Sequence, residues 1–308
     1  MEELLKKELG CKSVKSYGRD GSGCISSGAG FMTDSEGHIF AKVNKKHGAR
    51  LMFDGEYESL KAIAATNSIR VPKPIKVFDD KKHGTVFVME YLNMTGLGRQ
   101  NAGKLGHLLA RMHLHNTKIK DKSESMATSV HKQGEDVKYI EKFGFHVPTC
   151  CGFIPQDNSW IDDWVIFFSR QKLQLQVDKI INETGDRDVV EWWPRLQRKI
   201  PEYFKGLEIT PALMHGDLWG GNAGELDGEP VVFDPASFYG HSEFDLGIAS
   251  MFGGFSKMFY DEYFKLLPKQ PGHSQRLGLY QMFHYLNHWN HFGTGYKDSS
   301  ISLMKSLS

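Results

Sequence analysis

The stretch His215-Gly216-Asp217-Leu218-Trp219-Gly220-Gly221-Asn222, answered by Asp234 after the apolar run Val231-Val232-Phe233, constrains this chain more than any other. It presents a carboxylate, an amide five residues on, and a second carboxylate beyond a short hairpin. Asp and Asn beside glycines are common turn formers, so either half alone says little. Both in order form a set that phosphoryl transfer from a metal nucleotide requires. One Asp orients and deprotonates a hydroxyl, while an Asn and another Asp hold the cations that gather charge on the phosphates. Asp217 is the candidate base, and Asn222 and Asp234 are the candidate Mg²⁺ ligands.

Composition removes other classes. The 308 residues allow about two domains at ~150 residues each. With 40% hydrophobic and 12% aromatic residues, the chain can bury a real core. Lys+Arg 38 against Asp+Glu 37 leaves a net charge of +1, which argues against a broad nucleic-acid or membrane-binding surface. No apolar run approaches the ~18 residues of a membrane span. The start, Met1 to Leu9, reads as a charged amphipathic helix without a signal-peptide core. Cys11, Cys24, Cys150 and Cys151 contain no C-x-x-C and suggest neither a disulfide framework nor a zinc site, so the expected address is cytoplasmic.

Upstream, the pattern supplies what a nucleotide needs. A helix over residues 3–9 closed by Gly10 precedes strand and turn material over 14–43. Gly21 to Gly28 is a glycine-rich turn whose backbone can approach phosphates, with Gly23 and Cys24 as candidate contacts. His38 to Val43 is a strand carrying Lys42, placed to contact the α- and β-phosphates as the strand lysine of kinases does. Helical spacing over Arg50–Thr66 brings two glutamates, of which Glu56, flanked by the apolar face, is the preferred partner for Lys42 over Glu58. Strands at Ile75–Phe78 and Thr85–Met89 follow, and Met89-Glu90-Tyr91 then leaves the sheet as a hinge for adenine.

The second half reads as mostly helical. Leu105 to Met112, Trp164 to Ile180, Val189 to Ile200 with a start or kink at Pro194, Ser242 to Met251, Met258 to Leu267 and Gln275 to Phe292 are the expected helices. Lys118 to Lys138 reads as a long loop because its periodicity is poor. Trp219 offers a flat apolar face for a sugar skeleton. His284, His288 and His291 share one helical face. Without H-E-x-x-H they read as structural or as a sugar-contacting wall, with His288 and Trp289 the substrate-side candidates. His215 is expected to bond the loop or the Asp234 region, Asp245 to brace the catalytic loop, and Cys150-Cys151 to be buried packing.

The order of these parts looks like a protein-kinase-like phosphotransferase. The text of Phe143-Gly-Phe-His146, Thr149 to Gln156, His215 to Asn222, Asp234 to Glu243 and Tyr285 to Phe292 resembles the fructosamine-3-kinase family, nearest its ketosamine-3-kinase branch. The resemblance covers nearly the whole chain. It implies an α+β, bilobal, aminoglycoside phosphotransferase-like fold, with a small antiparallel β-rich N-lobe (1–92) that binds the nucleotide and a larger helical C-lobe (93–308). It further implies ATP and Mg²⁺ as cofactors and phosphorylation of the 3-hydroxyl of ketoamines on glycated proteins or free glycated lysine. Ribulosamines and psicosamines are the branch's substrates, with fructosamine a further candidate. Phosphate at C3 can then be eliminated with the help of the C2 carbonyl, freeing the amine. Ala29-Gly30-Phe31 departs from the Arg-containing stretch associated with relatives, so no basic residue is assigned there.

Two rivals remain at this point. One is another small-molecule kinase of the aminoglycoside or choline type, although the C-terminal His/Trp/Asn segment lacks the acidic residues a polycation needs. The other is a non-catalytic nucleotide-binding redox sensor. Cys24, in the phosphate turn, is the redox candidate, and its oxidation would link a monomer into a dimer. A protein kinase is disfavoured, because Asp234-Pro235-Ala236 runs almost directly into a helix with no A-P-E.

Overall fold

The structure, a computed structural model, describes residues 1–18, 21–22, 26–127 and 138–308. Gly23 and Cys24 lie outside the described residues.

The first part is a sheet with a helix on each side. Helix α1 (Glu2–Leu9) stops at Gly10, whose φ of 67° is left-handed. Strands β1 (Val14–Ser16), β2 (Gly21–Ser22), β3 (Ser27–Thr33), β4 (His38–Asn44), β5 (Pro74–Asp80) and β6 (Gly84–Glu90) build an antiparallel sheet. Its order is β1-β3-β4-β6-β5, with β2 beside β3. Alternation along the strands decides which side chains go where. Ile39, Ala41, Val86 and Val88 pack with Leu5 of α1, while Phe87 and Met89 join Phe53, Leu60 and Ile63 of helix α2 (Ala49–Ala65). Phe40 and Lys42 therefore share the α2 side, with Lys42 opposite Phe87 in register.

Beyond β6 the chain passes into the helical part. There follow β7 (Thr95–Gly96), α3 (Arg99–His113), α4 (His115–Ala127), and the hairpin of β8 (Thr149–Cys151) and β9 (Ile154–Gln156). Helix α5 (Trp164–Ile166) runs through a π-helical stretch, Phe167–Gln174, into α6 (Leu175–Thr184). Then come α7 (Arg187–Lys199), β10 (Ala212–Leu213), β11 (Ala223–Leu226), β12 (Glu229–Val232), β13 (Tyr239–Gly240), α8 (Phe244–Ala249), α9 (Lys257–Leu266), α10 (His273–Phe292) and α11 (Lys297–Leu307). β7 pairs with β11, which ties the crossing to the loop that carries Asp217 and Asn222. Among the described residues no helix is long and apolar enough to cross a membrane.

The structure differs from the sequence reading in three elements. Residues 118–127, expected as loop, belong to α4. Its described residues are mostly exposed, so it shows little apolar periodicity and rests on helix-forming Lys and Glu instead. Helix α7 begins at Arg187, where Asp186 accepts from Val189 N, and Pro194 lies inside it. Helix α11 was not expected, since its serines hide a stripe of Ile301, Met304 and Leu307 that packs into the core.

Candidate active site

Lys42 is the first anchor. Its Nζ lies 2.6 Å from Glu56 Oε1 and 2.5 Å from Asp234 Oδ1, joining sheet, helix and loop in one ion triad. Burial alone would lower the lysine pKa, but the two carboxylates raise it, so the ammonium stays charged. Burial also pushes Glu56 upward, against the pull of Lys42. Glu58 instead faces Lys61 and His146. The triad holds because α2 sits close on β8. A Cβ at Gly55 would stand 2.6 Å from Pro148 O, so only glycine permits this approach. Ser59 Oγ extends the same seam by accepting from Ser237 N at 3.1 Å.

The loop after β10 is held from beneath by Asp245. This fully buried carboxylate accepts from His215 N at 2.8 Å through Oδ2 and from Gly216 N at 2.8 Å through Oδ1. His113 Nε2 lies 3.1 Å from the same Oδ2. Burial raises the Asp245 pKa, yet the donors around it outweigh burial and hold it below the usual carboxylate value. His215 Nε2 is 3.1 Å from Phe233 O, and His215 Nδ1 accepts from Asp217 N at 3.3 Å, an arrangement of a neutral ring. Burial lowers its pKa accordingly. His215 is thus a brace between the two loops. Gly216 has φ 86°, and a Cβ there would stand 2.1 Å from Ala236 O. Ala236 N donates to His215 O at 2.8 Å, so the loops touch backbone to backbone at this point.

Asp217 and Asn222 meet across the turn. Asn222 Nδ2 donates to Asp217 O at 2.9 Å and to Asp217 Oδ2 at 3.1 Å. Burial, then the charge of Asp234, push the Asp217 carboxyl up to about 7, with the Asn222 bond pulling the other way. Asp234 has φ 57°, a left-handed conformation uncommon outside glycine, which the short crossing from β12 to Ala236 imposes.

These groups line one cavity of about 690 Å³ between sheet and helices. Lys42, Glu56, Met89, Glu90, Tyr91, Asp217, Trp219, Asn222, Asp234 and His288 all border it. At the hinge, Tyr91 N donates to His38 O, and Glu90 bonds Arg70 through its side chain. Among the described residues the Leu92 amide donates to no protein group. Trp219 is 36% exposed, its ring lying over Gly221 and edge-on to Phe252. Trp289 is a correction. It is 4% exposed and belongs to the core, in the stripe of Met282 and Leu286, because one residue along a helix turns ~100° away from His288. Sequence reading missed Asn287, Cys151 and Phe292 as cavity residues. A polar Asn at 4% exposure amid the apolar stripe of α10 was the available signal.

The donor set fits a hard divalent cation. Asn222 spends its amide N–H groups on Asp217, leaving its oxygen to accept a cation. The Asp234 side chain is 45% exposed and gives one oxygen to Lys42, which leaves the other for the cavity. Oxygen-only ligation of this kind suits Mg²⁺ beside phosphates.

An antiparallel sheet followed by a helical part, with the Asp217 and Asp234 loops facing the sheet's Lys42, is the layout of the aminoglycoside phosphotransferase-like kinase fold. An aminoglycoside phosphotransferase solved with ADP and hygromycin B superposes with TM-score 0.57 at 14% identity, covering 100% of this chain and 97% of that one. A Haemophilus somnus 129PT protein named for fructosamine-3-kinase superposes with TM-score 0.78 at 22% identity, covering 99% and 96%. Both likenesses concern the fold. The sequence narrows the class: the chain belongs to the fructosamine kinase family, whose pattern matches residues 1–308. Ketosamine-3-kinase of Mus musculus is 53% identical over 310 residues, covering 100% of both chains. A chloroplastic protein-ribulosamine 3-kinase of Arabidopsis thaliana is 36% identical, covering 99% of this chain and 86% of its own.

Proposed function

We propose that this chain is a ketosamine 3-kinase, which moves the γ-phosphoryl group of ATP to the 3-hydroxyl of ketoamines on glycated lysine. Glycated proteins and free glycated lysine are its substrates, ribulosamines and psicosamines first among them, with fructosamine as a further one. The observation that carries the reading is that Asp217 borders the same cavity as Lys42, Asp234, Trp219 and His288. One cavity thus offers groups for a phosphate donor and for a sugar acceptor. The substrate class follows the 53% full-length identity to ketosamine-3-kinase.

In this reading the backbone of Met89–Leu92 receives adenine, and Lys42 steadies the phosphates while Glu56 holds its ammonium in place. Asn222 and Asp234 would hold Mg²⁺, which would supply positive charge to neutralise the phosphates. Asp217, with its pKa near neutrality, takes the proton of the 3-hydroxyl as the bond to phosphorus forms. Asn222 orients that carboxylate. Trp219 supplies an apolar face for the sugar carbons. The resulting phosphate ester lies beside the C2 carbonyl. Proton loss at C1 gives an enol that expels phosphate from C3, and hydrolysis then releases the lysine amine. The cytoplasm is the compartment in which this chain acts.

Phosphorus NMR of a mixture with MgATP and ribulose-lysine tests this. A new secondary phosphate ester on C3, decaying to inorganic phosphate with recovery of lysine, is the expected result. A phosphate on any other hydroxyl would overturn the assignment.

A further inference from the structure

Beside the catalytic loop, three chemically unlike side chains from distant parts of the chain converge. Cys151 Sγ from β8, the Asp217 carboxylate and a ring nitrogen of His284 from α10 lie within 4.8 Å of one another. His284 is the unusual member. It is fully buried, and among the described residues neither ring nitrogen has a hydrogen-bond partner. Its helix neighbours differ. His288 and His291 each bond through Nδ1 to the carbonyl one turn back, and His291 Nε2 accepts from Phe153 N. The expected structural or wall roles thus suit those two histidines and leave His284 over. Packed against Phe244 and Phe283, it is kept neutral by burial, with its pKa pushed down to about 3, so a lone pair is always available. Buried polar atoms without partners are few in folded proteins and ask for an explanation.

We infer that Cys151, Asp217 and His284 form a binding site for a thiophilic divalent cation of the Zn²⁺ class. An ion there ties up the Asp217 carboxylate and stops phosphoryl transfer; this inhibitory arm rests on Asp217 being the base. Sulfur, imidazole nitrogen and carboxylate oxygen are the donors Zn²⁺ favours, whereas Mg²⁺ takes oxygen. With bonds of ~2.3 Å to sulfur and ~2.0 Å to nitrogen and oxygen, a tetrahedral ion spaces its ligands roughly 3.3–3.5 Å apart. The three atoms need only draw in by about 1.5 Å at most, which side-chain rotation supplies. Cys151 and Asp217 both border the cavity, which gives the ion a path in and a water its fourth position. Binding breaks the Cys151 S–H bond, sends the proton to solvent and forms a sulfur–metal bond, with no change of oxidation state. The cysteine pair, expected as plain packing, thereby gains a ligand.

Metal-free protein titrated with Co²⁺ as a spectroscopic probe tests the site without any sugar substrate. One equivalent should produce a near-ultraviolet sulfur-to-cobalt charge-transfer band that Zn²⁺ abolishes by displacement. Cys151→Ser should lose the band, and His284→Gln should weaken Zn²⁺ binding, read by calorimetry, by about tenfold or more. Zn²⁺ at one equivalent, with MgATP in excess, should suppress turnover in the wild type but not in Cys151→Ser, each compared with its own metal-free rate. Absence of the band in the wild type overturns the proposal whether or not either variant folds. A band that survives Cys151→Ser, or inhibition without a band, would put the ion on another thiol or on Asn222 and Asp234, and overturns it equally. The band stands or falls independently of ketoamine turnover, so a failure of the functional reading is told apart from a failure of the site.

Discussion

Asp245→Asn isolates the brace beneath the catalytic loop. The carboxylate uses Oδ1 for Gly216 N and Oδ2 for His215 N, with His113 Nε2 also at Oδ2. An amide keeps the shape but retains one acceptor, so its NH₂ must face at least one of these N–H groups. The loss is one hydrogen bond to a charged acceptor, about 1.5–3 kcal/mol, with a buried donor left unpaired. For a chain of this length that lowers Tm by about 2–5 °C. The larger effect falls on Asp217, one residue beyond Gly216. A displacement of about 1 Å in a reacting group costs on the order of 100-fold in rate. Calorimetric melting and steady-state kinetics with MgATP and ribulose-lysine measure both, and calorimetry of ADP binding serves as the control. We expect kcat to fall about 100-fold while ADP affinity changes less than about threefold, because the Lys42–Glu56 pair is untouched. An unchanged Tm together with an unchanged kcat would refute the bracing role.

Gly216→Ala drives a Cβ to 2.1 Å from Ala236 O. It should cost about 1–3 kcal/mol and separate the Asp217 and Asp234 loops, seen as a fall in kcat with a retained melting transition. Trp219→Ala should raise KM for the ketoamine roughly tenfold and leave KM for ATP alone; equal effects on both would remove Trp219 from the sugar wall. Acid stability follows from Glu243 and His241. Burial alone would raise Glu243, but His273 at 3.1 Å and the Arg276 fork at 2.8 and 2.9 Å hold it down to about 2. Its folded value lies below its unfolded one, so about 3 kcal/mol present above pH ~4.5 is lost as pH falls towards 2. Burial lowers His241 to about 4, so the unfolded chain binds that proton first and stability already declines below pH ~6.5. Urea titrations from pH 7 to 3 should show both steps, and Glu243→Gln should flatten the lower one. Parallel curves for Glu243→Gln and wild type would contradict it.

Much of this arrangement is legible in the sequence because it depends on local rules. Alternation in His38–Val43 places Lys42, and helical spacing separates Glu56 from Glu58. The Asp217-to-Asn222 spacing and the short run to Asp234 announce a shared loop. Other features require three dimensions. The approach of Gly55 to Pro148 and the meeting of Cys151 with Asp217 and His284 join segments far apart in the chain, and no local pattern encodes them. Trp289 was misplaced because its neighbour His288 faces the cavity while helix geometry turns the next side chain into the core. The π-helical stretch Phe167–Gln174 buries Lys172 against Phe167 and Phe238, and a helical periodicity assumed uniform cannot show it. Helix α4 escaped notice because it is polar, and α11 because its apolar stripe is brief.

ATP consumption with ribulose-lysine and fructose-lysine side by side, using Asp217→Asn as the blank, tests the central claim most directly. The account predicts turnover of ribulose-lysine that falls by at least about 100-fold in Asp217→Asn, whose amide accepts no proton from the hydroxyl. Turnover of neither ketoamine, or a rate that Asp217→Asn leaves unchanged, would contradict it.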